Sequence, residues 1–189
     1  AKPVERDMQE TYLPAFHATV VEGGAQSVMC AYNRTNGEPC CTSKPLNDIL
    51  RKQWGFNGYI VSDWGAIDDI YLRHKYVKTE AEASALAVKA GTDLTCGREY
   101  KSLAQAVKDG LITEAEIDVA VKRLMTARFK LGMFDPPDMV AYARIAFSEN
   151  ASDAHRQLSL RAARESLVLL KNQNNTLPLK KDLKTIAVI

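Results

Sequence analysis

The 189-residue sequence predicts a parallel α/β fold, the later part of a (β/α)8 TIM-type barrel. Three observations predict it. Short apolar runs at Ser27–Tyr32, Gly58–Asp63 and Thr92–Thr95 alternate with amphipathic helical segments. The middle run, Tyr59-Ile60-Val61, is almost continuously apolar, as in strands covered on both faces. Three strands are too few to close an eight-stranded barrel, which takes about 250 residues, so the earlier strands are expected before Ala1.

Each element has its own signal. Residues 7–22 are predicted helical, with Pro14 as an interruption. Asn33 to Ser43 is rich in Asn, Gly and Pro and is predicted to be a loop. Pro45 suits a first helical turn, and Leu46, Ile49, Leu50 and Trp54 then share one helix face up to Gly55. Thr79 with Glu82, and Thr113 with Glu116, are capping-box pairs that start two further helices. Gly91 and Gly132 end them. Leu103, Ala106 and Val107 mark a helix between the two, closed by Gly110. A linker is expected over 132–151, where Pro136-Pro137 falls, and a helix over 152–171. A polar loop follows over 172–183, and Lys184 to Ile189 is predicted to begin a buried strand. A strand that stops there has no neighbour for its backbone groups, so a longer protein is expected.

Composition narrows the function classes. Lys+Arg is 25 against Asp+Glu 23, a net charge of +2 that gives no electrostatic case for nucleic-acid binding. Hydrophobic residues at 46% and charged residues at 25% exclude disorder over most of the length. No apolar run reaches the roughly 18 residues of a membrane span. The first seven residues are polar, with no leader-like apolar core. Four cysteines are too few for a disulfide scaffold. Cys30 with Cys40 can close a short loop if the protein is exported, and reduced, buried thiols are the other reading. A bond between neighbours Cys40 and Cys41 is disfavoured by geometry. Cys96 follows the third strand and is placed beside the pocket. His17, His74 and His155 lack zinc-ligand spacing and are assigned to surface or packing. No glycine-rich phosphate loop is present.

Asp63 is the candidate for chemistry. It follows Tyr59-Ile60-Val61-Ser62, where strand C-termini of a parallel barrel line the active face. A carboxylate there serves as base, nucleophile or metal ligand, or it caps the next helix. Trp64 beside it offers an apolar platform, such as the C–H face of a sugar requires. Asp68 and Asp69 are placed on the following helix, near its N-terminus or solvated. Arg98 and Glu99 are helix-start charges with a possible reach to a second sugar.

The segment Trp54-Gly55-Phe56-Asn57-Gly58-Tyr59-Ile60-Val61-Ser62-Asp63-Trp64 resembles the nucleophile segment of glycoside hydrolase family 3. Val28 to Cys40, Asn47 to Arg51, Ala90 to Leu94, and Val168 to Asn172 with Leu177-Pro178-Leu179 resemble further segments of that family, in the same order.

The resemblance implies a retaining exo-acting β-glycosidase, with β-glucosidase as the leading activity and β-xylosidase as the alternative. A catalytically inactive carbohydrate-binding fragment is the reading from another class. Asp63 is then the nucleophile, Tyr32 lies close to it, and Met29 and Trp64 border the sugar sites. The implied architecture is barrel over 1–131, linker over 132–151 and the start of an α/β sandwich domain over 152–189. Retention needs a second carboxyl group about 5–5.5 Å away, kept protonated as the acid. The family takes that glutamate from a later segment, so these residues alone are expected to be catalytically incomplete. No metal or organic cofactor is required by this chemistry. The expected partners are a β-linked oligosaccharide or aryl or alkyl β-glycoside and the remaining segments of the enzyme, with oligomers possible. A periplasmic or secreted location is expected from the family. This reading expects the Asp63 carboxylate to be free of backbone partners, with open space before it.

Overall fold

The computed structural model describes residues 2–187. They divide into two compact units, separated between Pro136 and Pro137.

In the first unit, residues 5–22 are helical but not uniformly α. Helix α1, Glu5–Asp7, leads into a wider π-type turn over Met8–Tyr12. Leu13 N–H bonds back five residues to the Met8 carbonyl at 2.9 Å. Pro14 then starts α2, Pro14–His17. Proline has no N–H to give, and the widened turn absorbs the break.

Strands β1, Ser27–Cys30, and β4, Tyr59–Ser62, pair in parallel with Val28 opposite Ile60 and Cys30 opposite Ser62. Between them the predicted loop holds a small hairpin, β2 Arg34–Thr35 against β3 Glu38–Pro39. Its turn is Asn36-Gly37, both with positive φ, the dipeptide that the tightest hairpins favour. Helix α3, Lys44–Asp48, continues through a π-type turn over Ile49–Gln53. The predicted third strand is only one bridge, Val61 to Leu94, on the other side of β4. The Asp93 and Leu94 N–H groups both turn to the Ile60 carbonyl, and Ser62 N–H to the Leu94 carbonyl.

Gly58 admits β4 to the sheet. A Cβ there would lie 2.1 Å from the Gln26 carbonyl oxygen, the same oxygen that receives the Tyr59 N–H. Helix α4, Ala66–Leu72, follows β4. Helices α5, Glu80–Ala90, and α7, Glu114–Lys130, begin at complete capping boxes on Thr79 and Thr113, as their sequence signals predict. Helix α6, Leu103–Lys108, lies between them.

Two apolar clusters hold this unit. One gathers Val20, Leu50, Phe56, Ile60, Ile67 and Ile70 with neighbours between the strands and helices. The other joins Ala85 and Val88 of α5 to Ala106, Ile112 and Ala120. Asp93 is the polar pin. Its carboxylate is 1% exposed, and each oxygen receives an arginine at 2.8 Å: Arg51 on Oδ2 and Arg123 on Oδ1. Oδ2 also accepts the Ile60 N–H at 2.9 Å. One buried carboxylate thereby ties α7 and the helix after Ser43 to the middle of β4.

The disulfide is Cys30–Cys41, with Cα atoms 5.1 Å apart, so the Cys30–Cys40 pairing is corrected. The short turn Cys40–Thr42 buries Cys41 against the end of β1 and leaves Cys40 as a free, half-buried thiol. Burial pushes that thiol's pKa up.

In the second unit, the expected linker carries short 3-10 turns at Pro137–Met139, Ala141–Arg144 and Phe147–Glu149. Helix α8 spans Asp153–Ser166, ending five residues earlier than predicted. At its C-terminal end the Ser166 hydroxyl bonds the Ala163 carbonyl, and Leu167 turns to extended backbone. The predicted strand over 184–189 is not formed at Ile186 and Ala187, and Val188 and Ile189 lie outside the described residues. Among the described residues no helix is long and apolar enough to cross a membrane.

Candidate active site

The end of β4 sets the site. Asp63 N–H donates to the Cys30 carbonyl at 3.0 Å, so the parallel ladder carries Asp63 one residue past the strand. The chain then turns at Gly65, whose φ of 70° and ψ of 9° are left-handed and open α4. The Gly65 N–H faces the Cys96 carbonyl at 3.4 Å, while Cys96 N–H donates to the Ser62 hydroxyl at 3.0 Å. The segment after Leu94 therefore backs the Asp63 turn through the backbone of the exposed Cys96.

Asp63 is half-buried. Its Oδ1 accepts the Trp64 N–H at 2.7 Å, so the carboxylate is not free of backbone partners. The next amide in the chain is the donor because the tight turn into Gly65 brings it there. Trp64 stands 70% exposed. Tyr32, two residues past β1, donates its hydroxyl to the Trp64 carbonyl at 2.6 Å, with the Asp63 carboxylate also within hydrogen-bonding reach of that hydroxyl. Desolvation, and then the Asp63 carboxylate, raise the Tyr32 pKa.

Three of the four sequence candidates, Tyr32, Asp63 and Trp64, thus meet in one bonded group. Met29 does not join that group. It is exposed on β1, opposite Val61, and helps to line an apolar cavity of about 360 Å³ with Met8, Leu13, Phe16, Leu46 and Trp54. Asp63 is not among the residues lining that cavity.

Asp68 and Asp69 both lie in the first turn of α4. Asp69 is buried rather than solvated and bonds Arg73 at 3.2 Å. Glu99 is 2% exposed and accepts the Thr95 hydroxyl, which removes it from contact with a sugar. Desolvation, and then Glu99, raise the Asp68 pKa. Glu80 is raised by desolvation, then by Asp68 and Glu99. Sequence reasoning missed His74. Its Nε2 faces the Tyr32 carbonyl at 2.8 Å, and no spacing rule links residues 42 apart. Among the described residues no group of three or more His, Cys, Asp or Glu is arranged to hold a metal.

Residues 2–127 match the family model "Glycosyl hydrolase family 3 N terminal domain". A xylan 1,4-β-xylosidase of Xylanibacter ruminicola is 45% identical over 97% of this chain and 22% of its own length. β-D-xylosidase 1 of Arabidopsis thaliana is 41% identical over 100% of the chain and 25% of its own. A family 3 exo-β-xylosidase (XlnD), solved in complex with a xylobiose aziridine activity-based probe, superposes with a TM-score of 0.85 at 34% identity, covering 97% of this chain and 24% of that one. A β-glucosidase from Listeria innocua in complex with glucose gives a TM-score of 0.79 at 32% identity, over 95% of this chain and 24% of its own. The chain therefore spans about a quarter of the length of these relatives. With that match over two thirds of its residues, and an α/β unit that turns out an aspartate and a tryptophan at a strand end, the chain belongs to glycosyl hydrolase family 3.

Proposed function

We propose that the polypeptide carrying this chain is a retaining exo-β-glycosidase in which Asp63 is the nucleophile. The observation that carries the reading is Asp63 at the C-terminal end of β4, bonded to Trp64 and joined through it to Tyr32. The Trp64 amide holds Oδ1 and so fixes the carboxylate plane. Oδ2 attacks the anomeric carbon as the bond from C1 to the leaving oxygen breaks. That oxygen takes a proton from an acid supplied outside this chain. Water then displaces Asp63 from C1, gives its proton to the same outside group, and the carboxylate is restored. Trp64, exposed beside it, offers its ring to the C–H face of the sugar.

The terminal sugar is a β-D-xylose in the reading that the sequence relatives favour, since the enzymes at 38–45% identity are named β-xylosidases. β-D-glucose is the second reading, supported by structural neighbours named β-glucosidases. Substrates are β-linked oligosaccharides or aryl and alkyl β-glycosides. The architecture we propose is barrel strands over 1–131, a linker over 132–151 and the start of a sandwich domain over 152–189, supported by the parallel β1–β4 pair. The Cys30–Cys41 disulfide suits an oxidising compartment, periplasmic or secreted.

The test labels the complete polypeptide with a 2-fluoro xyloside and a 2-fluoro glucoside and maps the modified peptide by mass spectrometry. Label on Asp63 is expected, and the faster reagent names the sugar. Label on another residue of an active enzyme removes the assignment.

A further inference from the structure

We infer that His74 is a positioning residue of the site, acting through Tyr32; the inference rests on the glycosidase reading above. The Tyr32 carbonyl offers no proton, so at 2.8 Å the His74 ring must donate its Nε2–H. That assigns the tautomer from the contact alone.

His74 is itself held. Its backbone N–H donates to the Asp69 carbonyl at 2.7 Å, at the end of α4, where the chain turns away through Lys75 with positive φ. Asp69 is anchored by burial and by Arg73. The imidazole therefore projects from a fixed corner, half-buried, onto the residue that follows β1 by two. Tyr32 in turn donates its hydroxyl to the Trp64 carbonyl. The bonds run from α4 through His74 to Tyr32 and on to Trp64, whose amide holds Asp63. Two loops that leave different strands are closed into one ring by these contacts. A second contact repeats the join: the Arg34 guanidinium of the hairpin lies 5.9 Å from the Tyr76 ring centroid.

Removing the imidazole leaves the Tyr32 peptide without its donor and frees the hydroxyl's placement. Misplacement of this kind costs up to about 100-fold in rate. The loss falls on kcat, because His74 acts through Tyr32.

The test uses the complete polypeptide. His74→Ala is expected to lower kcat and the rate of 2-fluoro-glycoside labelling by about 10- to 100-fold with KM within about twofold. His74→Gln, whose amide nitrogen falls near the position of Nε2, recovers most of the loss, and His74→Asn does not. In a Tyr32→Phe background, His74→Ala costs little more, because the hydroxyl it places is already gone. Additive losses, or a His74→Ala enzyme with normal kcat, overturn the inference. A separate readout does not depend on activity. With 15N-histidine labelling, a protected Nε2–H signal of His74 is expected by NMR. A His74 protonated on Nδ1 alone overturns the contact even if Asp63 is labelled as proposed. An inactive polypeptide that still shows the protected Nε2–H sinks the glycosidase reading and, with it, the role of His74 in catalysis.

Discussion

One oxygen of Asp63 is tethered to the Trp64 amide, and the proposed mechanism assigns the attack to the other. Asp63→Asn keeps the size and the tether, so folding survives. Its kcat is expected to fall by about 10,000-fold or more, read from steady-state hydrolysis by the complete polypeptide. Near-normal turnover by that variant ends the nucleophile assignment. Trp64→Ala removes a ring that packs on little else in this unit. Its expected effect is a rise in KM of about fivefold to tenfold without loss of thermal stability. Asp63 and Trp64 were legible because both sit on one short segment with a strand behind them. Tyr32 entered through its resemblance to the family segment, and its hydroxyl meets both the Trp64 carbonyl and the Asp63 carboxylate. A sequence shows neighbours along the chain, and the Trp64 carbonyl competes for that hydroxyl only in three dimensions. His74 had no local signature at all.

At the scale of elements, the helix starts were the most readable part. The Thr79–Glu82 and Thr113–Glu116 boxes are made by residues three apart, and both form with their reciprocal bonds. The Asn36-Gly37 turn was equally local, and its hairpin was hidden only by the brevity of its two-residue strands. Asp93 is the opposite case. Its partners Arg51 and Arg123 lie 42 and 30 residues away, so nothing along the chain announces the pin. Burial lowers the Arg51 pKa, and Asp93 acts against that fall. Asp93→Asn leaves two guanidinium groups without their counter-charge. The expected cost is about 3–5 kcal/mol, measured by urea unfolding. A change below about 1 kcal/mol would show that the arginines find other partners.

For the molecule as a whole, pH is a lever through Asp68 and Glu80. Both carboxyl pKa values are raised above 3.8 and 4.5, their ordinary values, by desolvation first; Glu99 and then Asp69 raise Asp68 further, and Asp68 and then Glu99 raise Glu80. A raised pKa means that the folded state binds the proton more tightly. The stability these groups contribute is therefore complete below the unfolded carboxylate range and is lost as pH rises through their folded values. Asp68→Asn is expected to flatten this fall, so that its melting temperature relative to the parent improves between pH 3 and pH 7. A parallel shift at every pH would show that Asp68 acts by packing instead. The second unit adds a different feature. Leu167 to Leu170 are 63–91% exposed, a continuous apolar run.

Glycines at the two ends of β4 are required for unlike reasons, and a saturation library would separate them. At position 58 the obstacle is the Gln26 carbonyl oxygen just before β1, so every side chain collides and only glycine should survive selection for folding. At position 65 the space is open and only the handedness is demanding, so asparagine should be recovered beside glycine. Deep sequencing of the survivors would read out which codons each end of β4 permits.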